Sequence, residues 1–410
     1  MILVGGRGEE LSVLTAHRAM AAVPFGARYR LIDFALSNCV NSDFFDITIL
    51  AQYFPISLLN HIGTGKAWDL DRKHTGLKLL QPIQTDTATN WYRGTADALA
   101  RNLRQFQRHS YTLVLPGDLL YKMDFSRLLR QHKRRRAKLT IATATVAPEQ
   151  AHRYGIVEVG ENNCLTSFVE KPKQPSGSLA SMAIYLFDTS FLIQRLDELP
   201  AGSHDIVHDL IIPAVDEGIV QQYRHDSYWE DVGRLGAYYR ANMELLSEGN
   251  TLLRRDMENP IATPTDEMPP AKFGPYARVR RSLVANGSII NGEVVNSIVS
   301  KGVYVEEGAV VRDSLLLGHT QVRSGAVVDR AIIDKWCEVG AGAMVGYGEV
   351  GRENERFPKL ITNGLTLIGK ANKIPEKMKI GRQVCLDTAL DMASLSLNLP
   401  GGSSWGEFSI

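Results

Sequence analysis

The chain has 410 residues, 44% of them hydrophobic, more than one core comfortably holds, which predicts two or three domains. Its 46 Lys and Arg against 45 Asp and Glu leave a formal net charge of +1, so no overall field recruits nucleic acid or an anionic membrane, and any phosphate site must be local. Cys39, Cys164, Cys337 and Cys385 lack zinc or disulfide spacing, Met1 runs straight into an apolar segment, and no apolar stretch approaches about 18 residues; the expectation is a soluble, cytoplasmic, untargeted protein.

In chain order, residues 1 to about 245 alternate short apolar runs with amphipathic stretches, the rhythm of an open parallel α/β sheet of Rossmann-like type. Strands are predicted at 1–4, 47–50, 111–115 and 139–143, and a crossover helix at 95–108, where Ala98, Leu99, Leu103 and Phe106 fall at helical spacing. Residues 246–274, with Pro260, Pro264, Pro269 and Pro270, predict a linker. From 275 helical periodicity stops. Val305-Glu306-Glu307-Gly308-Ala309 recurs as Val322-Arg323-Ser324-Gly325-Ala326 and Val339-Gly340-Ala341-Gly342-Ala343, the same interval twice. Regular coils of that kind, each exposing apolar surface until the next stacks on it, predict a parallel β-helix over 275–385, with an insertion before Ile374-Pro375. Residues 386–410 are expected to form a tail, mobile after Leu397 where Gly and Ser accumulate.

Gly5-Gly6-Arg7-Gly8, directly after the first strand, can bring bare backbone amides to a triphosphate, although many strand-to-helix turns are glycine-rich only for packing. Asp118 stands just past a predicted strand, where a turn carboxylate can cap a helix. Gly94-Thr95-Ala96-Asp97 at a helix start either faces a nucleotide or caps its own helix.

Read together, Pro24-Phe25-Gly26, Tyr29-Arg30-Leu31-Ile32-Asp33-Phe34-Ala35-Leu36-Ser37-Asn38, Trp91-Tyr92-Arg93-Gly94-Thr95-Ala96-Asp97-Ala98, Tyr121-Lys122-Met123-Asp124, Val169-Glu170-Lys171-Pro172 and Tyr228-Trp229-Glu230-Asp231-Val232-Gly233 resemble the bacterial and plant glucose-1-phosphate adenylyltransferases. Pro269-Pro270-Ala271-Lys272-Phe273 resembles that family's entry into its left-handed β-helix, so the likeness covers nearly the whole chain. The resemblance implies ATP and glucose 1-phosphate as substrates, ADP-glucose and pyrophosphate as products, and a role in glycogen or starch synthesis. It also implies Mg²⁺ held by Asp118 and Asp231, effector regulation, and a homo- or hetero-tetramer, with no nucleic acid or membrane partner. By the same resemblance Arg7 joins the two aspartates in catalysis; Gly5, Gly6, Gly94, Thr95 and Asp97 face the nucleotide; Glu170, Lys171, Ser181 and Asp205 hold the sugar phosphate. Gln52 and Trp91 match positions that couple the nucleotide site to effectors, while His17, Arg18 and Arg28 read either as part of an anionic effector site or as scattered surface cations.

Two departures near the start of the chain stand against this pattern, and a third follows after Asp205. Glu10 occupies the place of the family's first-loop arginine, and Met20 that of a lysine. Losing one such cation typically costs about 3–4 kcal/mol of transition-state stabilisation, so the chain is expected to be either a weak enzyme or a regulatory subunit of a catalytic paralogue. After His204-Asp205 the family's aromatic, glycine and lysine are replaced by Ile206, Val207 and His208, which alters the sugar pocket.

Overall fold

A computed structural model describes residues 1–82, 84–85, 88–89, 91–200, 202–253, 259–265 and 267–408. In the first part, the apolar runs become strands β1 (Ile2–Val4), β2 (Asp46–Ala51), β3 (Gly76–Leu80), β4 (Tyr111–Pro116), β5 (Leu119–Tyr121), β6 (Leu139–Thr145), β7 (Gly155–Val159), β8 (Leu165–Glu170), β9 (Leu179–Asp188), β10 (Val220–Arg224) and β11 (Trp229–Asp231). Between them lie α1 (Leu31–Asn41), α2 (Thr95–Ala100), α3 (Phe125–Arg135), α4 (Thr189–Asp197) and α5 (Leu235–Glu244).

The main sheet runs β8-β7-β9-β4-β1-β2-β3, with β6 attached to β9 and β10 to β6. It is mixed rather than wholly parallel. β1 pairs in parallel with β2 and β4, whereas β9 runs antiparallel to β4, β6 and β7. Apolar side chains cover both faces, one cluster holding Ile2, Ile49 and Leu115 and the other Leu50, Val114 and Ile141. That two-sided burial explains why the strands read as continuous apolar runs.

The predicted helix over 95–108 is broken. α2 ends at Ala100, because the Asn102 side chain donates to the Ala98 carbonyl (2.8 Å) and to the Tyr92 hydroxyl (3.0 Å), and a separate short turn spans Leu103–Gln105.

From Lys272 onward the chain winds as a left-handed parallel β-helix with three ladders of short strands. The repeated valines stack in register: Ile290, Val305, Val322, Val339 and Ile374 form one inward column. Along another ladder, alternate residues part company. Val299, Leu316, Ile333, Ile368 and Leu386 point into the β-helix core, while Ile298, Leu315, Ile332, Leu367 and Cys385 share a buried cluster with Leu11, Phe25, Phe34 and Tyr238 of the first part. The strand period of two thus serves two cores at once. Residues 387–408 are no mobile tail: Leu399 is buried on Ile380, and the strands Asn398–Leu399 and Ser404–Trp405 extend two ladders. Asn354 anchors them, donating to the carbonyls of Gln383 (2.8 Å) and Ser403 (3.4 Å).

Candidate active site

The site lies past the carboxyl ends of β1 and β4, which are hydrogen-bonded neighbours, so the loop after each faces the same crevice. Gly5 and Gly6 follow β1; both are exposed, and a side chain added at either would meet open space. These glycines are therefore not fixed by packing, which leaves their backbone accessible to a ligand. Gly117 differs: a Cβ there would lie 2.8 Å from Val4 and 2.9 Å from Ile32, so only glycine lets β4 turn into Asp118.

Asp118 and Asp231 are brought together by strand pairing. β5 runs antiparallel to β11, with Leu119 opposite Asp231. Removal from water pushes the partly buried Asp118 carboxyl up to about 7, and the neighbouring Asp231 charge adds to the rise. Asp231 Oδ1 accepts a hydrogen bond from the Gly233 amide (2.8 Å), and Arg153 approaches its Oδ2 at 3.6 Å. Among the described residues no three His, Cys, Asp or Glu side chains cluster as a metal site. Two carboxylates whose negative charges oppose each other nevertheless suit a hard dication that completes its shell with water and phosphate oxygens.

The two departures have defined surroundings. Met20 fills the space between the first loop and the Asp231 turn: its Cβ lies 3.2 Å from where a Gly8 side chain would begin, and its Cε 3.3 Å from the same point at Gly233. Glu10 Oε2 accepts from Arg234 Nε at 3.0 Å. Arg7 points elsewhere, its guanidinium 5.1 Å from the Tyr53 ring centroid, and Tyr53 stacks on Trp91 at 5.2 Å.

The remaining predicted residues divide. Glu170 and Lys171 stand together at the end of β8 with 3.6 Å between their charged atoms, and Lys171 holds a left-handed backbone (φ 46°) with its side chain exposed. Ser181 sits on β9, buried, its hydroxyl accepting from the Ala183 amide (3.2 Å). Asp205 Oδ1 caps its own helix, accepting from the amides of Val207 (2.8 Å) and His208 (2.9 Å).

The segment starting α2 is occupied by structural contacts. Thr95 Oγ1 accepts from the Ile206 amide (2.8 Å), and Asp97 accepts from the Arg93 amide and the Arg101 side chain, both at 2.9 Å. A side chain on Gly94 would strike the His204 carbonyl at 2.3 Å. Asp124, from another family-like motif, is the N-cap of α3, accepting from the Ser126 amide (2.9 Å). Arg18 is not a surface cation: it is buried against Asp334 of the β-helix, Nη2 lying 2.9 and 2.6 Å from the two carboxylate oxygens. Sequence reasoning missed Arg153 and Arg234. The signal available for Arg234 was its place directly after Asp231-Val232-Gly233.

A crevice at the ends of β1 and β4, a glycine loop and two facing carboxylates define a nucleotide-dependent transferase class. Residues 1–248 match the family model described as nucleotidyl transferase, and residues 269–368 the one described as GlmU-like, C-terminal hexapeptide. A glucose-1-phosphate adenylyltransferase of Thermomicrobium roseum is 44% identical over 94% of this chain and 92% of its own length. Its namesake in Acetivibrio thermocellus is 38% identical over 97% and 95%, and that of Clostridium perfringens 39% over 84% and 92%. The chain belongs to the glucose-1-phosphate adenylyltransferase family.

Proposed function

We propose that this protein transfers the adenylyl group of ATP to glucose 1-phosphate, releasing pyrophosphate, as the names of its relatives state for them. The observation that carries the reading is the pairing of β5 with β11, which sets Asp118 and Asp231 side by side at the crevice. In the reaction an oxygen of the sugar phosphate attacks the α-phosphorus, one P–O bond forms, and the bond to pyrophosphate breaks. A Mg²⁺ ion held by Asp118 and Asp231 would neutralise phosphate charge there; the raised Asp118 pKa fits a carboxylate that gains from a cation. Lys171 and Glu170 would hold the sugar phosphate, and the open amides of Gly5 and Gly6 the triphosphate. For Gly94, Thr95, Asp97 and Asp205 a positioning role fits their hydrogen bonds better than ligand contact. Arg7 would need to leave the Tyr53 ring to reach phosphate.

The reading extends to a unit at 1–245 that carries the chemistry, a linker at 246–274, a cytoplasmic setting, and a tetramer under effector control. No described helix is long and apolar enough to cross a membrane. At the junction burial lowers Lys335 to about 7 and the Arg30 and Arg18 charges add to the effect, so an anion bound there would favour its charged form, which is compatible with effector control.

A regulatory subunit is the second reading, favoured by the thioether of Met20 between Gly8 and Gly233 and by the carboxylate of Glu10. The test is pyrophosphate release with ATP, glucose 1-phosphate and Mg²⁺, comparing the wild type, Glu10→Arg with Met20→Lys, and Asp118→Asn. Wild-type turnover abolished by Asp118→Asn supports an enzyme. Silence relieved by the double change moves the chain to the regulatory reading, and silence in all variants overturns the catalytic one.

A further inference from the structure

The helix α3 ends at the edge of the main sheet away from the crevice. Lys133 Nζ lies 5.1 Å from the ring centroid of Tyr111, the first residue of β4, whereas the crevice opens past that strand's last residue. Phe125, Leu128 and His132 form the buried side of α3, and Arg127, Arg130 and Arg134 recur at i, i+3 and i+7 as one stripe on its outer side. Arg135, Arg136 and Lys138 continue the run, and all of these cations are exposed. Arg136 holds a left-handed backbone (φ 50°) at the helix end, where glycine or asparagine is the usual choice, so its side chain is kept at a conformational cost.

Neighbouring negative charge answers only part of this run. A helix end carries roughly half a negative charge, which a single cation satisfies. Asp124 answers Arg127 at 3.2 Å, and Asp188 feels the charge of Lys138. Arg130 donates Nη1 to the Ser126 hydroxyl (3.0 Å), and no described carboxylate lies within ion-pair distance of Arg130, Arg134, Arg135 or Arg136. In a chain of net charge +1 the excess is local, and it calls for a polyanion at this edge.

Three features choose among polyanions. Arginine outnumbers lysine along 127–138, and its planar fork meets a carboxylate with two parallel hydrogen bonds. Residues three or four apart on a helix are spaced about 4.5–6 Å along its axis, close to the roughly 6.6 Å between side chains on one face of an extended peptide. From 104 to 138 no large apolar side chain is exposed, so the edge has nothing on which unpaired bases stack and nothing that enters a bilayer.

We propose that this edge of α3 docks an extended acidic segment of a partner protein, whose alternate carboxylates pair with Arg130, Arg134 and Arg135. The partner then sits at the end of β4 opposite the crevice, and its binding does not depend on whether the chain turns over.

The test is fluorescence anisotropy of a labelled peptide of alternating Glu and Ser, titrated with the full-length protein at low salt. An oligouridylate of equal charge and vesicles containing phosphatidylglycerol are measured beside it. Replacing Arg130, Arg134 and Arg135 together by Ser is expected to weaken peptide binding at least about tenfold. Replacing the same three by Lys keeps the charge but loses the fork, and should weaken it about threefold. These side chains are exposed, so thermal melts should match the wild type and show that both variants fold. Peptide binding indifferent to the Ser variant overturns the proposal. A Lys variant equal to the wild type also overturns it, by reducing the edge to an unspecific field, as does tighter binding of the oligouridylate or the vesicles than of the peptide.

Discussion

In the β-helix, residues that touch are separated by a repeating interval, whereas elsewhere single contacts join segments far apart in the chain. Val305, Val322 and Val339 stack because each coil copies the last. Glu10 meets Arg234, and Arg18 meets Asp334 across 316 residues, with no repeat to announce either contact. The first kind of order is spread over many equivalent contacts and the second rests on single pairs. Damage should therefore fall unevenly, and the sharpest break in that contrast is expected at the buried ion pair.

Asp334→Ala leaves the Arg18 guanidinium buried without its counter-charge, and is expected to cost about 3–5 kcal/mol in urea unfolding. Replacing both partners together, Arg18→Met with Asp334→Leu, should recover most of that loss, since burying the pair is itself costly. A single-variant loss below about 1 kcal/mol would mean that the contact does not join the two parts.

Leu316→Ala and Leu315→Ala sharpen the comparison on adjacent residues. Leu316 faces the β-helix core and should cost about 3 kcal/mol, felt within the repeat. Leu315 belongs to the cluster shared with Leu11 and Phe25, so its truncation should separate the unfolding of the two parts into distinct transitions. Hydrogen exchange would show which amides lose protection in each variant, and identical patterns would refute the division of columns.

The same contrast explains what could be read in advance. The β-helix was legible because a fixed interval of Val and Gly leaves few ways to stack, and the strands of the main sheet because continuous apolar runs end at Gly or Pro. Asp118 and Asp231 stood out through the family-like motifs around them. The break after Ala100 was hidden, since Asn102 acts through its side chain against an otherwise helical pattern. The order of residues 398–405 was hidden too: Gly401 and Gly402 look like a loose tail until Leu399 finds Ile380. Arg18 looked like one cation among many because its partner lies in the other half of the sequence.

Thr95→Val separates positioning from ligand contact. It removes the acceptor for the Ile206 amide and should cost about 1–2 kcal/mol of stability, with the ATP dependence of any turnover nearly unchanged. A large rise in KM for ATP at unaltered stability would instead return Thr95 to the nucleotide.

The smallest effect expected lies away from both site and repeat, at His132 on α3. Its ring is buried, Nδ1 is 2.8 Å from the Thr140 hydroxyl, and its edge meets Tyr111 at 5.4 Å. Burial drives its pKa down to about 4, and the charge of Asp188 only partly opposes the shift. Because the folded value lies below the ordinary 6.5, protons bind the unfolded chain first as pH falls. Stability is therefore lost between about 6.5 and 4, and this one ring accounts for roughly 1–2 kcal/mol between pH 7 and 5. His132→Gln keeps a polar partner for Thr140 and removes the titration, so its urea midpoint should fall less than that of the wild type over that interval. Equal falls in the two proteins would mean that the acid sensitivity belongs to other groups.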